Sequence, residues 1–264
     1  GDLRNRAEGN ALYCTYLCRE ITQRLNAEPA GDPQTILGQL PASAGVLSTY
    51  YEFLFASLDM GGVMVADAMG LIDFSVTPAE LAEIFPAFAA CLPAILHQLR
   101  PILEDTRGRG GLRIYHESFR RHILDKARQR RDKIGPKLRD IILWLEGRGF
   151  LDDSRAYRFL LPNLVRADRT AEVFALININ FVAASCAAGH SAAAIEANLT
   201  LFANLAAKIP DFPRLTRAIE LFRSLGACID NLHDYFEYGA AYAALHGPGR
   251  LVDRLTFDGN ATVN

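Results

Sequence analysis

The chain has 264 residues, with 28 Lys and Arg against 30 Asp and Glu and a formal net charge of −2. Hydrophobic residues make up 50% of it and charged residues 22%, which suffices for one large or two smaller buried cores. The near-neutral charge argues against a general nucleic-acid binder or a strongly basic membrane-surface protein. The apolar stretch 63–74 is interrupted by Asp67 and Asp73 and is shorter than the roughly 20 residues that span a bilayer, so we expect a cytoplasmic protein without a membrane partner.

Two N-terminal segments carry apolar residues at helical spacing. The first stripe comprises Leu12, Tyr13, Tyr16, Leu17, Ile21 and Leu25, and the second comprises Leu47, Tyr50, Tyr51, Leu54, Phe55 and Leu58. Both stripes predict core-facing helices. Asp32-Pro33 predicts a helix start between them, and Gly61-Gly62 marks the end of a first helical domain over residues 1–60.

Residues 61–130 have the element order of a winged helix. A buried helix is predicted over 63–71, a capping box at Thr77-Pro78-Ala79-Glu80 opens a short second helix, and a third follows over about 88–99. Segments 102–104 and 112–115 would then pair as a hairpin around a polar, glycine-rich loop. Three helices followed by a hairpin predict a winged-helix domain with a small β-hairpin.

Beyond residue 130 the pattern becomes successive helices joined by short turns. Leu138, Ile141, Ile142 and Leu145 form a stripe that stops at Gly147. Further helices are predicted over 156–167, 170–188, 191–208, 213–226 and 228–245. The sequence therefore predicts a mainly α-helical protein in which a winged helix is flanked by a helical domain and, over residues 131–264, by an arm of helical hairpins.

His116 stands where the predicted strand 112–115 meets the next helix, which carries Phe119, Ile123 and Ala127 every four residues. A helix N-terminus has unpaired N–H groups and the positive end of the helix dipole, so anions can bind there. His116 either caps this helix or adds a donor for a phosphate. The spacing alone leaves both roles open.

The residues around this histidine resemble a known motif. Tyr115 to Ile123 read Tyr-His-x-Ser-Phe-Arg-x-x-Ile, which resembles the motif closing the winged-helix domain of STAND-class signalling ATPases. This class comprises the NACHT and NB-ARC relatives and includes bacterial antiviral proteins and animal and plant immune receptors. Leu40-Pro41 with residues 50–54 is similar to the linker helix of bacterial NACHT proteins, and residues 157–167 are similar to the helical segment that follows the winged helix.

A further segment resembles the helical domain that follows the ATPase core in this class. Gly9-Asn10-Ala11-Leu12 matches its Gly-x-Pro-Leu element, with Ala11 standing where the family has a proline that packs on adenine. The resemblance implies that His116 contacts the β-phosphate of bound ADP in the resting state. It also implies that Gly9, Asn10 and Ala11 lie near the nucleotide.

The sequence contains no Gly-x-x-x-x-Gly-Lys-Ser/Thr loop to hold phosphates, so we expect the chain not to be an enzyme on its own. We expect the chain, which begins at Gly1, to be a piece of a larger protein downstream of the nucleotide-binding core. The resemblance implies that ADP or ATP with Mg²⁺ binds to the intact parent. The implied partners are the nucleotide-binding core and sensor domains of the same polypeptide and, on activation, further copies of the protein.

Two groups of metal-binding residue types occur at helical spacing, namely Cys14 with Cys18, and Asp230 with His233, Asp234 and Glu237. Neither group has further ligands nearby to complete a zinc site. Core packing is therefore favoured for the cysteine pair, and an ordinary polar helix face is favoured for the second group. No metal site is predicted. The five cysteines are scattered in apolar stretches and are predicted to be reduced core residues.

Two other functional classes remain as alternatives. His97 and Arg100 lie on the helix that would read DNA in a winged-helix regulator, although the flanking Leu92 to Leu96 is apolar where exposed polar residues are needed. Segment 120–139 is basic, with nine Lys or Arg, and is predicted to be a solvated linker helix rather than a phosphate-backbone contact. The other alternative is a helical scaffold that binds another protein.

Overall fold

The computed structural model describes residues 2–8, 10–42, 47–106, 111–130 and 134–230, together with 244, 245 and 247. These residues are mainly helical, with one small antiparallel sheet of two strands. The chain divides into two compact units, which comprise residues 1–137 and 138–264. Within the described part of the chain, no single helix is long and apolar enough to span a bilayer, and one bent pair of short helices passes that test only by combined length and composition.

The first unit contains eight helices among its described residues and ends within a ninth. Helices α1 to α8 span, in order, Asp2–Arg6, Ala11–Ala27, Pro33–Gln39, Ser48–Ser57, Met60–Leu71, Pro78–Ile84, Leu92–Leu99 and Glu117–Gln129. Strands β1 and β2 span Leu103–Thr106 and Gly111–Ile114, and α9 spans Ile134–Gly147.

The two N-terminal apolar stripes form the core of α2 and α4, as predicted. The buried members are Tyr13, Tyr16, Leu17 and Ile21 of α2, and Tyr50, Tyr51, Leu54 and Phe55 of α4. The start of α3 is also confirmed, because the Asp32 side chain accepts the backbone N–H groups of Gln34 and Thr35 and Pro33 occupies the first turn.

The next helices begin at side-chain caps. Asp59 Oδ1 accepts the Gly62 N–H at 2.7 Å, so the predicted break at Gly61-Gly62 falls inside the first turn of α5. The Thr77–Glu80 capping box is present at α6, as predicted.

Helix α7 begins at Leu92 rather than near residue 88, so that predicted boundary is wrong. Pro93 lacks a backbone N–H and is tolerated only in the first turn, which prevents the helix from extending further towards the N-terminus. Residues Pro86–Phe88 form a separate 3₁₀ turn.

The predicted hairpin is present. Leu103 pairs with Ile114 and Thr106 with Gly111 in an antiparallel register, while the connecting residues 107–110 lie outside the described residues. An isolated antiparallel bridge between Val76 and Leu112 adds a further contact on the other edge of β2.

Helix α8 packs closely against α5. A Cβ atom added at Gly70 would lie 2.8 Å from the Ile123 Cγ2 atom, so only glycine permits this approach. Phe119, Ile123 and Ala127 are buried. The first half of the basic segment 120–139 is therefore not a free linker, because the apolar face of α8 packs in the first unit. Its opposite face, with Arg121 and Arg128, is exposed to solvent as predicted.

The second unit continues with helices α10 to α14, which span Ser154–Arg166, Thr170–Leu176, Phe181–Ala187, Ala192–Lys208 and Phe212–Asp230. The predicted helix 170–188 is two helices, because Asn178 Oδ1 accepts the Asn180 N–H at 2.9 Å and the chain turns there. The predicted break near residue 227 is absent, since α14 continues through it. The C-terminal part of the predicted helix 228–245 lies mostly outside the described residues.

All five cysteines are free thiols, but they are not core residues. Cys18, Cys91 and Cys228 are exposed, and Cys14 and Cys186 are intermediate. The reason at α2 is that its buried face is occupied by larger side chains, which leaves Cys14 and Cys18 to the side. The prediction of buried cysteines is wrong.

Candidate functional site at the N-terminus of helix α8

His116 caps α8 with its imidazole ring. Its backbone is extended, with φ −137 and ψ 135, and its Nδ1 atom accepts the Ser118 backbone N–H at 3.1 Å. Accepting this bond requires an unprotonated Nδ1, so the proton of the neutral ring is assigned to Nε2. The side chain is exposed, and no described residue accepts a hydrogen bond from Nε2. The ring therefore caps the helix with one nitrogen and presents a donor with the other.

Ser118 and Tyr51 support this ring from behind. The Ser118 Oγ atom lies 2.7 Å from His116 Nδ1 and 2.6 Å from the Tyr51 hydroxyl. With Nδ1 unprotonated, the Ser118 hydroxyl donates to the ring and accepts from Tyr51. Tyr51 is buried and 2% exposed, so a buried residue of α4 is connected to an exposed residue of α8 through one hydroxyl.

Aromatic rings fix the position of Tyr51. Its ring packs edge-on against Phe119 at 4.9 Å and against Tyr16 at 5.9 Å, and it lies 5.3 Å from the His122 ring. Burial raises the pKa of Tyr16, and it lowers the pKa of His122, with Lys126 acting in the same direction and Glu52 and Asp125 opposing it. The hydroxyl that supports Ser118 therefore belongs to a buried, largely apolar cluster.

Charged residues of the first turn surround the cap. Glu117 lies 3.5 Å from the Arg120 guanidinium and 3.4 Å from that of Arg121. Arg120 also donates to the Gly70 carbonyl at 2.9 Å and pairs with Asp73, which ties this turn to the end of α5. The acidic side chain next to His116 is thus offset by two arginines, and the dipole of a 13-residue helix adds to their positive potential.

The other predicted nucleotide-contact residues lie at the start of α2. Asn10 caps this helix, since its Oδ1 atom accepts the Tyr13 N–H at 3.0 Å, and Ala11 is exposed in the first turn. Gly9 lies outside the described residues. Asn10 and His116 each cap their own helix, and no hydrogen bond in the described part of the chain joins them. Their shared role at one nucleotide stays a prediction.

The opposite end of α8 is held by a buried carboxylate. Asp67 of α5 is 2% exposed and accepts two hydrogen bonds from Arg130, at 2.6 and 2.8 Å, and one from Lys137 at 3.0 Å. These cations flank the connection between α8 and α9. Two cations of the basic segment therefore form internal ion pairs.

Sequence reasoning located His116 and missed Tyr51 and Ser118. A serine two residues after a histidine cap was visible in the motif, but Tyr51 is 67 positions from Ser118 and no local pattern connects them. Among the described residues there is no candidate metal site, since no group of three or more His, Cys, Asp or Glu lies close enough to hold an ion. His233, Asp234 and Glu237 lie outside that part of the chain.

Comparisons with protein-family models, with curated proteins and with solved structures find no match to this chain.

Proposed function

We propose that this chain is the regulatory and signal-transducing segment of a STAND-type ATPase, in which the N-terminus of α8 closes over ADP in the resting state. The observation that carries the proposal is the exposed His116 ring, whose Nδ1 atom is engaged by the helix and whose Nε2–H is left for a ligand. A single outward donor at a positive helix end suits a phosphate oxygen. The nucleotide core and the sensor are then parts of the same polypeptide.

The element order of the first unit supports a winged-helix interpretation. Helices α5, α6 and α7 are followed by the β1–β2 hairpin, and an isolated bridge pairs Val76, between α5 and α6, with Leu112 of β2. In this interpretation α8 leaves the winged helix directly after its last strand. The winged helix swings away when ADP is exchanged for ATP, and the helical arm couples ligand sensing to that movement and to oligomerisation in defence or signalling.

The test uses the intact parent protein and two substitutions of one residue. His116→Ala removes both the cap and the donor, whereas His116→Asn keeps a good capping acceptor and removes the imidazole donor. If the donor contacts phosphate, both variants should release ADP about 10- to 100-fold faster, because a charge-assisted hydrogen bond contributes roughly 1.5–3 kcal/mol. Loss of that contact should also shift the population towards the open, signalling form.

Arg128→Ala, at the opposite end of α8 and 71% exposed, is the matched control and should leave ADP release nearly unchanged. In the isolated 264-residue chain, His116→Ala should lower the free energy of unfolding by about 1 kcal/mol, whereas His116→Asn should leave it near the wild-type value. Unchanged ADP release in His116→Asn, together with a destabilised His116→Ala chain, would make His116 a structural cap only.

Nucleotide binding by the isolated chain should be weak or absent. Most of the binding free energy in phosphate-loop ATPases comes from the loop and Mg²⁺, and this sequence has no such loop. Calorimetry with ADP and with ATP measures this directly. Micromolar affinity accompanied by turnover would contradict the proposal.

The DNA-binding alternative is less well supported by the geometry of α7. Its exposed face includes Pro93 and Ala94 beside His97 and Gln98, which offers few groups for reading base edges. Gln23 of α2 donates to the His97 carbonyl at 2.5 Å, so another helix lies against the C-terminal end of α7. An electrophoretic mobility shift that persists at moderate salt would favour this alternative.

A further inference from the structure

A groove of about 1030 Å³ lies in the first unit between α2, the start of α6, α7 and the hairpin. Its apolar side is formed by Leu96 of α7, Leu103 of β1 and Leu112 of β2. Leu96 and Leu103 are largely covered, so they form the floor rather than the rim. The opposite side is one polar face of α2, which includes Cys18 and Thr22. The groove shares no lining residue with the His116 site.

Its size indicates the class of occupant. Small-molecule sites typically measure about 300–1,000 Å³, and they combine an apolar surface with a few polar groups that fix orientation. This groove, at about 1030 Å³, is just above that range, and it combines an apolar floor with polar side chains of α2. A small organic molecule therefore fits it better than a second protein surface, which would require a far larger contact area.

The charges around the groove indicate the sign of the occupant. Arg19 is held in place, with its guanidinium 4.1 Å above the Tyr115 ring and donating to the carbonyls of Pro101 and Leu103. Arg100 is exposed on the rim and forms no ion pair with any described residue. Asp105 is the single acidic residue among those that line the groove. The two arginines outweigh it, so an anion is favoured over a cation.

We propose that this groove binds a small amphipathic organic anion. Its apolar body lies on Leu96, Leu103 and Leu112, and its carboxylate or sulfonate pairs with Arg100. Arg19 already donates to backbone carbonyls, so it contributes positive potential rather than a direct contact. This binding is separate from the proposed nucleotide contact at His116 and does not depend on it.

Cys18 makes the proposal testable, because it is an exposed free thiol that lines the groove, whereas Cys91 and Cys228 are exposed thiols that do not. The probe is 8-anilinonaphthalene-1-sulfonate, and its neutral counterpart is N-phenyl-1-naphthylamine, which lacks the sulfonate. The rate of maleimide alkylation at each cysteine is measured by mass spectrometry on the folded 264-residue chain. A saturating amount of the sulfonate should slow alkylation at Cys18 alone.

The sulfonate should bind about tenfold more tightly than the neutral probe, which is the difference expected from one charge-assisted contact. Arg100→Ala should abolish this difference, while Arg121→Ala, whose side chain is 75% exposed on α8, should preserve it. Thr22→Trp, on the exposed side of α2, should fill the groove and remove protection of Cys18 by either probe.

Three results would overturn the proposal. The first is unchanged alkylation of Cys18 at saturating sulfonate. The second is equal protection of Cys18, Cys91 and Cys228, which would indicate non-specific adsorption. The third is equal affinity for the two probes in the wild-type chain, which would indicate an apolar surface without selectivity for anions.

Discussion

The two units treat their buried polar groups in opposite ways. In the first unit, Asp67 is neutralised by two cations, and the hydroxyls of Tyr16 and Tyr50 and the Nε2 atom of His122 are buried without a hydrogen-bond partner among the described residues. In the described part of the second unit, the buried side chains of Tyr157, Asn163, Ser185 and Asn198 each have a hydrogen-bond partner. Tyr157 donates to Ser185 at 2.8 Å, Asn198 donates to the Tyr157 carbonyl at 3.0 Å, and Asn163 donates to the Phe159 carbonyl at 2.7 Å.

This difference has an energetic meaning. A buried hydroxyl without a partner costs about 1–3 kcal/mol, whereas a satisfied one contributes about 1 kcal/mol. The first unit therefore retains free energy that another arrangement of the same residues could recover. A segment proposed to change conformation with its nucleotide is expected to contain buried polar groups without partners. In an arm proposed to transmit movement, the buried polar groups are expected to be hydrogen bonded.

The largest effect should come from the charged interior of the first unit. Asp67→Asn keeps the shape of the side chain and removes the buried charge that both Arg130 and Lys137 contact, so we expect a loss of about 2–4 kcal/mol in the free energy of unfolding. Hydrogen exchange at the amides of α5 and α8 measures it. Asp125→Asn, which removes an exposed pair with Arg128, is the control and should cost less than about 1 kcal/mol. Equal effects of the two substitutions would show that Asp67 is not a structural anchor.

A second comparison uses one substitution at two glycines. Gly70→Ala should destabilise the first unit by about 1–3 kcal/mol, because the new Cβ would lie 2.8 Å from Ile123. Gly226→Ala in α14 meets no described atom within 4 Å and should stabilise the second unit by about 0.5–1 kcal/mol through its higher helix propensity. Urea unfolding followed by hydrogen exchange resolves the two units. The same sign at both positions would refute the close α5–α8 packing.

The tyrosines test the contrast most directly. Tyr157→Phe removes the partner of the fully buried Ser185 hydroxyl and should cost about 1–2 kcal/mol. Tyr50→Phe removes a hydroxyl that has no described partner, so it should be neutral or stabilising by up to about 1 kcal/mol. Thermal unfolding of both variants measures the difference. A destabilising Tyr50→Phe would show that this hydroxyl is satisfied in solution.

The smallest effect concerns pH. Burial holds the pKa of His122 below its ordinary value of 6.5, with Lys126 lowering it and Glu52 and Asp125 raising it. The folded chain therefore favours the neutral ring, and its stability should fall as the pH drops from above 6.5 through the lower folded pKa. His122→Phe should reduce this pH dependence. Urea unfolding at pH 7.5 and at pH 5.5 measures the change in unfolding free energy between these pH values. The same change in the variant as in the wild type would assign the pH dependence to other groups.

Local features of the sequence predicted most of the first unit correctly. The stripes of α2 and α4, the Thr77–Glu80 box and the Asp32 cap are decided by residues within one or two helical turns. The errors arose where a short side chain or a ring redirects the backbone. Asn178 bonds its own backbone and ends α11, and Pro93 fixes the start of α7.

The site was only half predictable for a related reason. A histidine between a strand and a helix indicates a cap, and the cap is present. The chain of hydroxyls behind it depends on α4 packing against α8, and the pairing of Asp67 with Arg130 and Lys137 depends on α5. Such contacts join residues that are distant in sequence, so neither periodicity nor composition reveals them.

Arg19 has a consequence for handling the protein. The edge of β1 that does not pair with β2 is occupied at Leu103, because Arg19 donates to the Leu103 carbonyl and the Leu103 N–H bonds to the Arg100 carbonyl. Open strand edges recruit other strands, and proteins commonly shield them with charged side chains. A chain that lacked this arginine would present an unprotected edge to its neighbours, and concentrated solutions of it would be expected to associate and precipitate on storage.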